Sequence, residues 1–298
     1  MNIRANKACV WCGVGFVALF LVGFWIIGNF VPPPSPAWDA RRLTEFYLAN
    51  ATRIRVGMIL SSFAAILIVP WAAAINVQLR RIEGPQAVWG PCQLIGAGMS
   101  TLVFEYILFF WVAATFRVDR PAEIVQTIND MGWVPFVGIP GTAMLQAVAI
   151  GVGILSDSRT APILPRWAGY ANLWCALLFV PGAVNVFFKS GPLAWNGIIS
   201  WYMVLVVFCI WFVVNTVVVL KALNLQAAAE SGAGAGFGAG VGVAAGAAAR
   251  AEVVAPAEVA VRAGVAAPAD ELAALRAEVA ILRADVARLD RRGVVGGV

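Results

Sequence analysis

A chain of 298 residues that is 61% hydrophobic and only 12% charged, with a mean hydropathy of +0.83, carries more apolar side chain than a water-soluble fold can hide. Its net charge of +5 comes from basic residues scattered between apolar runs, which excludes nucleic acid as a partner and points to membrane lipid headgroups. The complete absence of histidine removes His-ligated haem, His-containing zinc or copper sites, Ser-His and Cys-His catalytic pairs and histidine proton relays, so no cofactor is expected.

The hydrocarbon core of a bilayer, about 30 Å thick, takes a helix of roughly 20 apolar residues. Six runs reach that length, at residues 9–30, 56–78, 94–115, 133–155, 167–188 and 195–220. The fold expected is therefore all-α, a polytopic bundle of six transmembrane helices over residues 1–225. The first run is too long for a signal-peptide core and has no small-x-small cleavage site before Val31-Pro32-Pro33-Pro34, so it reads as a retained span. Cys9-x-x-Cys12 has the spacing of a redox dithiol but lies on a hydrophobic helix without a βαβ context, where small residues serve helix packing. Arg4 and Lys7 precede this run with no acidic residue, which favours both termini on the cytoplasmic side, although with these two counted the basic residues ahead of the tail divide seven against seven between the two faces.

Between the first two runs, Ser35-Pro36 has the form of a cap followed by a first helical residue, and Leu43, Phe46, Tyr47 and Asn50 recur at three- or four-residue spacing. The segment is expected to be a short interfacial helix, either a lid over a vestibule or a surface helix resting among headgroups. The third run contains Gly96-x-x-x-Ser100, a signature of close helix contact, and then Glu105, near the midpoint of the span. An ionised carboxylate at that depth costs several kcal/mol, so Glu105 is expected to face the bundle interior and to be protonated, hydrogen-bonded or paired with a cation. Tyr106, Gln146, Asn172 and Asn215 are its candidate polar neighbours in a proton, cation or substrate site. Pro70, Pro140-Gly141 and Pro181-Gly182 each permit a kink. Trp133, Trp167 and Trp195 stand at the starts of runs, where an indole suits the interface.

After residue 225 the composition turns to Ala, Gly and Val, and residues 226–268 read as a flexible, disordered linker. Regular spacing returns over 269–292. Leu272, Val279 and Val286 share one heptad position and Leu275, Leu282 and Leu289 the other, the pattern of a short parallel coiled coil that would make the chain a homo-oligomer.

Residues 1 to about 225, with Trp38-Asp39-Ala40-Arg41-Arg42-Leu43 after the first span and Val77-Gln78-Leu79-Arg80-Arg81-Ile82-Glu83-Gly84 ending the second, resemble a family of small bacterial polytopic membrane proteins with no established activity. The resemblance implies a bacterial cytoplasmic membrane and nothing catalytic. One carboxylate without a second acid, a metal ligand or an activated nucleophile is too little machinery for an enzyme. Two classes of function remain: a small transporter or channel-like protein centred on Glu105, and a non-catalytic anchor or assembly protein that displays the coiled coil.

Overall fold

A computed structural model of the chain describes residues 2–248, with side chains through residue 230. Among the described residues every regular element is a helix, and six helical segments are long and apolar enough to cross a membrane: Ile3–Ile27, Ala51–Gln86, Trp89–Phe116, Ala122–Leu155, Arg166–Phe187 and Ile198–Glu230. The chain through Gly232 is one compact unit; of the second unit, which begins at Ala233, only helical backbone as far as Ala248 is described.

Span 1 consists of α1 (Ile3–Leu21), capped by the Asn2 side chain, and a π-helical end, Val22–Ile27. Helix α2 (Ala40–Ala49) follows in the connection. Its cap is Asp39, whose carboxylate accepts the Arg42 amide at 2.7 Å; Ser35, expected to cap it, holds the preceding turn through Ala37. Span 2 is divided into α3 (Ala51–Ala65) and α4 (Ile68–Glu83). Pro70 accounts for the division. Its missing amide leaves the Ile66 carbonyl without a bond four residues on, and the turn tightens, with Leu67 N–H donating to Ala64 and Val69 N–H to Ile66.

Span 3 is α5 (Trp89–Phe116), unbroken, and its first amides, those of Val88, Trp89 and Gly90, all donate to the Glu83 carboxylate. Span 4 is discontinuous: α6 (Ala122–Gly138) stops, Ile139 turns out of helical geometry at φ −110° and ψ 68°, and α7 (Gly141–Leu155) starts anew after Pro140. Span 5 is α8 (Arg166–Ala183) with a 3-10 end, and Pro181 lies within it without breaking it. Span 6 opens with a π-helix, Ile198–Met203, and continues as α9 (Val204–Ala248). Helix α9 thus runs beyond residue 225 into the segment read as a linker; the alanines there are the strongest helix formers. The heptad residues Leu272, Leu275, Val279, Leu282, Val286 and Leu289 lie outside the described residues.

Packing depends on glycines where two backbones meet. A Cβ on Gly57 of α3 would stand 2.3 Å from the Gly23 carbonyl oxygen of span 1, and one on Gly151 of α7 would stand 2.9 Å from that of Gly169 in α8. Elsewhere an indole takes the room a side chain would fill, Trp71 over Gly13 and Trp111 over Gly132. Gly96 lies against Gln146, as the small-residue spacing in α5 leads one to expect.

Arginines bind helix C-termini at the end of the bundle that carries α2. Arg53 donates to the carbonyls of Ile27 and Ile26 at 3.1 and 3.0 Å, Arg120 to that of Ala113 at 2.7 Å, and Arg55 to that of Thr115. Helix α2 is docked on span 4 there: the buried Tyr47 hydroxyl donates to Asn129 at 2.9 Å, and Gln126 donates to the Trp38 carbonyl. Burial pushes the Tyr47 phenol well above its ordinary pKa, with the Asp130 charge adding to the effect and the Trp133 indole opposing it. At the opposite end, burial pushes the Asp157 carboxyl up. The amides of Ile163 and Arg159 and the Arg159 guanidinium, 3.1 Å away, outweigh that and hold it below the ordinary carboxylate range.

Candidate functional site

Three irregularities of the bundle converge on one place. Leu21 and Phe24 at the π-helical end of span 1, Ile139, Pro140, Thr142 and Ala143 at the break in span 4, and Ser200, Trp201 and Val204 at the start of span 6 all line a single cavity of about 130 Å³. π-Helical turns and broken spans are costly departures in hydrocarbon, tolerated where backbone is buried in protein or lines a cavity. The walls are mostly aromatic: Phe20, Phe24, Phe104, Phe136, Trp201 and Phe208 stand with ring centroids 5.3 to 6.2 Å apart in successive contacts. No Asp, Glu, Lys or Arg lines it.

Two polar groups in this apolar wall lack partners. Gln146, 1% exposed, donates its Nε2 to the Ser100 hydroxyl at 2.8 Å and to the Thr142 carbonyl at 3.3 Å, which leaves Oε1 without a donor. The amide orientation is fixed chemically, since a carbonyl can only accept and the nitrogen must therefore face Thr142. Trp201, 6% exposed, has no acceptor for its indole N–H. The first amides of α7, at Gly141, Thr142 and Ala143, also precede the first intrahelical bond, which Met144 N–H makes to Pro140 at 2.8 Å. Ile139 is the exposed member of the lining, 48% accessible.

The residues grouped with Glu105 by the sequence do not come together. Glu105 points from α5 towards α3, where the Ser62 hydroxyl donates to Oε2; Oε1 is shielded and unpartnered, and the residue does not line the cavity. Tyr106, next in the helix, is 70% exposed on the outer face, its ring against Phe110. Asn172 and Asn215 form a reciprocal amide pair between α8 and α9, both bonds 3.1 Å, and the Trp211 indole donates to Asn172 Oδ1 at 2.7 Å. The pair satisfies itself internally, so it reads as a clamp between spans 5 and 6. Of the five, only Gln146 belongs to the cavity.

Sequence reasoning missed the aromatic wall and Trp201. Trp133, expected at the interface, is fully buried, because span 4 begins at Ala122 and places it mid-helix against Trp111 at 4.9 Å between centroids. Trp195 is also buried, donating to the Pro34 carbonyl at 2.8 Å, whereas Trp167 is exposed at the start of α8. A useful signal was present: the cavity's aromatic residues sit mostly on spans 1, 3, 4 and 6, in positions that a one-sided lipid-facing helix does not require.

Fold and composition define the class: an integral, multi-pass α-helical membrane protein with six spans. Compared with protein-family models, curated proteins and solved structures, the chain matches none.

Proposed function

We propose that the protein is a small transporter-like membrane protein, without a covalent catalytic step, that takes a lipophilic solute from the bilayer into the cavity between spans 1, 3, 4 and 6. The observation that carries this reading is the broken span 4. Its interruption at Ile139-Pro140 puts a helix start into the cavity wall, where Ile139, Pro140, Thr142 and Ala143 line it together with Gln146. Discontinuous helices whose free ends meet a solute at mid-membrane are the working part of several transporter folds. The site is centred on Gln146 and not on Glu105, which supports a neutral solute over a proton or cation path.

The membrane proposed is a bacterial cytoplasmic membrane, with both termini inside. Arg4 and Lys7 support that orientation. Arg53, Arg55 and Arg120 weigh little against it, since each has a structural reason to lie at its end of the bundle, the C-terminal carbonyls it binds.

Photolabelling tests the reading: the full chain in lipid nanodiscs is irradiated with a small lipophilic aryl diazirine and the adducts are mapped. Adducts on Phe104, Phe136 and Phe208 that disappear in Ala143→Phe, whose added ring fills the cavity, are the expected result. Labelling confined to lipid-facing side chains such as Phe63 and Leu102, unchanged in the variant, would overturn it. The heptads of residues 269–292 support a second reading, an anchor that displays a coiled coil, in which Ala143→Phe leaves the cellular role intact and removal of the tail abolishes it.

A further inference from the structure

The connection between spans 4 and 5 gathers arginines that outnumber the carboxylates they meet. Arg159 donates to Asp157 Oδ1 at 3.1 Å and to the Arg81 carbonyl at 2.7 Å, and Arg166 donates to the Asp157 carbonyl at 3.4 Å. Asp157 thus holds the guanidiniums of Arg159 and Arg166 side by side, and Arg159 ties both to the last turn of α4. The charge of Asp157 is answered by Arg159, and among the described residues Arg81 and Arg166 meet no carboxylate within ion-pair distance. Glu83, two residues beyond Arg81, spends its oxygens on the first amides of α5. A guanidinium carries five N–H donors, of which the exposed Arg166 uses one. These residues stand where spans 2 and 4 end and span 5 begins, the depth of lipid headgroups.

Arg166 heads an exposed strip of α8. At about 100° per residue, Trp167, Tyr170, Trp174 and Leu177 all fall within about 100° of Arg166 around the helix, and all four are more than half exposed, while Ala168, Asn172 and Ala176 turn into the bundle. The strip is ordered by depth, with the guanidinium first, then rings, then an aliphatic side chain. Tyr170 lies about 6 Å below Arg166, and its hydroxyl has no partner among the described residues, which leaves it free to donate to an ester carbonyl. A phospholipid presents phosphate, glycerol ester and acyl chain in the same order. A free phosphate would engage the guanidiniums and leave the strip unused, and a zwitterionic headgroup already neutralises its own phosphate. We propose that this connection is a binding site for one anionic phospholipid, its phosphate held by Arg159 and Arg166 and an acyl chain lying along Trp167, Tyr170, Trp174 and Leu177. None of these residues lines the cavity, so the assignment is independent of the solute reading.

Two lipids carrying the same acyl-chain diazirine, a phosphatidylglycerol and a phosphatidylcholine, can be compared at equal amounts in phosphatidylcholine nanodiscs holding the full chain, with adducts mapped by peptide mass spectrometry. Adducts at residues 167–177 are expected to be about tenfold more frequent with the phosphatidylglycerol, the scale set by one or two arginines near a membrane surface, and the excess should shrink at high salt. Arg166→Gln should bring the two lipids to parity on the strip, and Arg166→Lys should restore part of the excess. Labelling by the phosphatidylcholine should be the same in all three proteins and show that the face is intact. Equal labelling by the two lipids in the unsubstituted protein, an excess that survives Arg166→Gln, or an equal excess at lipid-facing residues of other spans such as Phe63 and Leu102 would overturn the site. Loss of the excess on adding inorganic phosphate at constant ionic strength would overturn the lipid and assign the arginines to the free anion.

Discussion

Glu105 shows how far a single residue can be read from its type. An acid near the middle of an apolar run is conspicuous in the sequence, and the expectation that it would turn away from lipid towards another helix holds, since Ser62 of α3 meets it. What the run of letters does not encode is which neighbours that turn brings. A helix rotates by about 100° per residue, so Glu105 and Phe104 face different partners, and it is Phe104 that reaches the cavity. With Oε1 shielded, a hydrophobic carbodiimide is expected to leave Glu105 unmodified across neutral pH in the intact bundle, as read by peptide mass spectrometry. An adduct that titrates with pH would show a carboxyl in exchange with water and return attention to the carboxylate-centred carrier. Asn172 and Asn215 illustrate the same limit: both are legible as buried polar residues, but their reciprocal pairing follows from the juxtaposition of α8 and α9, which no local pattern specifies.

Elements were more legible than contacts, because span length and apolarity are properties of consecutive residues. The six spans fall where six apolar runs lie, but several extend further than the runs do; span 4 begins at Ala122, about three turns before the run at 133. The polar residues Gln126, Thr127, Asn129 and Asp130 hide that beginning, and Gln126 and Asn129 are where α2 docks, through Trp38 and Tyr47. Among the prolines, the sequence marks possible kinks without ranking them. Pro70 and Pro140 coincide with breaks, whereas Pro135 and Pro181 are absorbed within α6 and α8. In the last turn of α8 the carbonyl of Pro181 accepts from the Ser200 hydroxyl at 3.0 Å and that of Gly182 from Asn185 at 2.8 Å, which satisfies two of the carbonyls left free at the end of the helix. If the break in span 4 depends on the missing amide of Pro140, Pro140→Ala should let α6 and α7 join. Amide hydrogen exchange at residues 139–143 should then slow by at least about tenfold, the effect of a gained hydrogen bond, and cavity photolabelling should fall. Unchanged exchange would place the cause of the break in the surrounding packing.

At the scale of the molecule, the heptads of the tail make their own prediction. Three heptads are marginal alone, since nucleation is costly and each exposed ion pair contributes only about 0.2 to 1 kcal/mol, but chains held in one membrane are already concentrated. Introducing Leu275→Glu and Leu282→Glu should leave membrane insertion unchanged and abolish bismaleimide crosslinking through a cysteine installed by Ala269→Cys in a background lacking the native cysteines; persistent crosslinking would exclude a tail coiled coil. The bundle itself has an asymmetry of a different kind. The backbone contact of Gly23 with Gly57, the grip of Arg53 on the end of span 1 and the Asn29–Asn50 bond all join residues close in sequence, so the first helical hairpin can close while the rest of the chain is still being synthesised. The cavity, by contrast, needs a wall from span 1 and another from span 6, brought together by rings such as Phe16 and Phe212 at 5.0 Å. A nascent chain released before its sixth span would thus be well anchored yet possess an open aromatic trough where the finished protein has a pocket, and the ability to retain a solute would be acquired last in biogenesis.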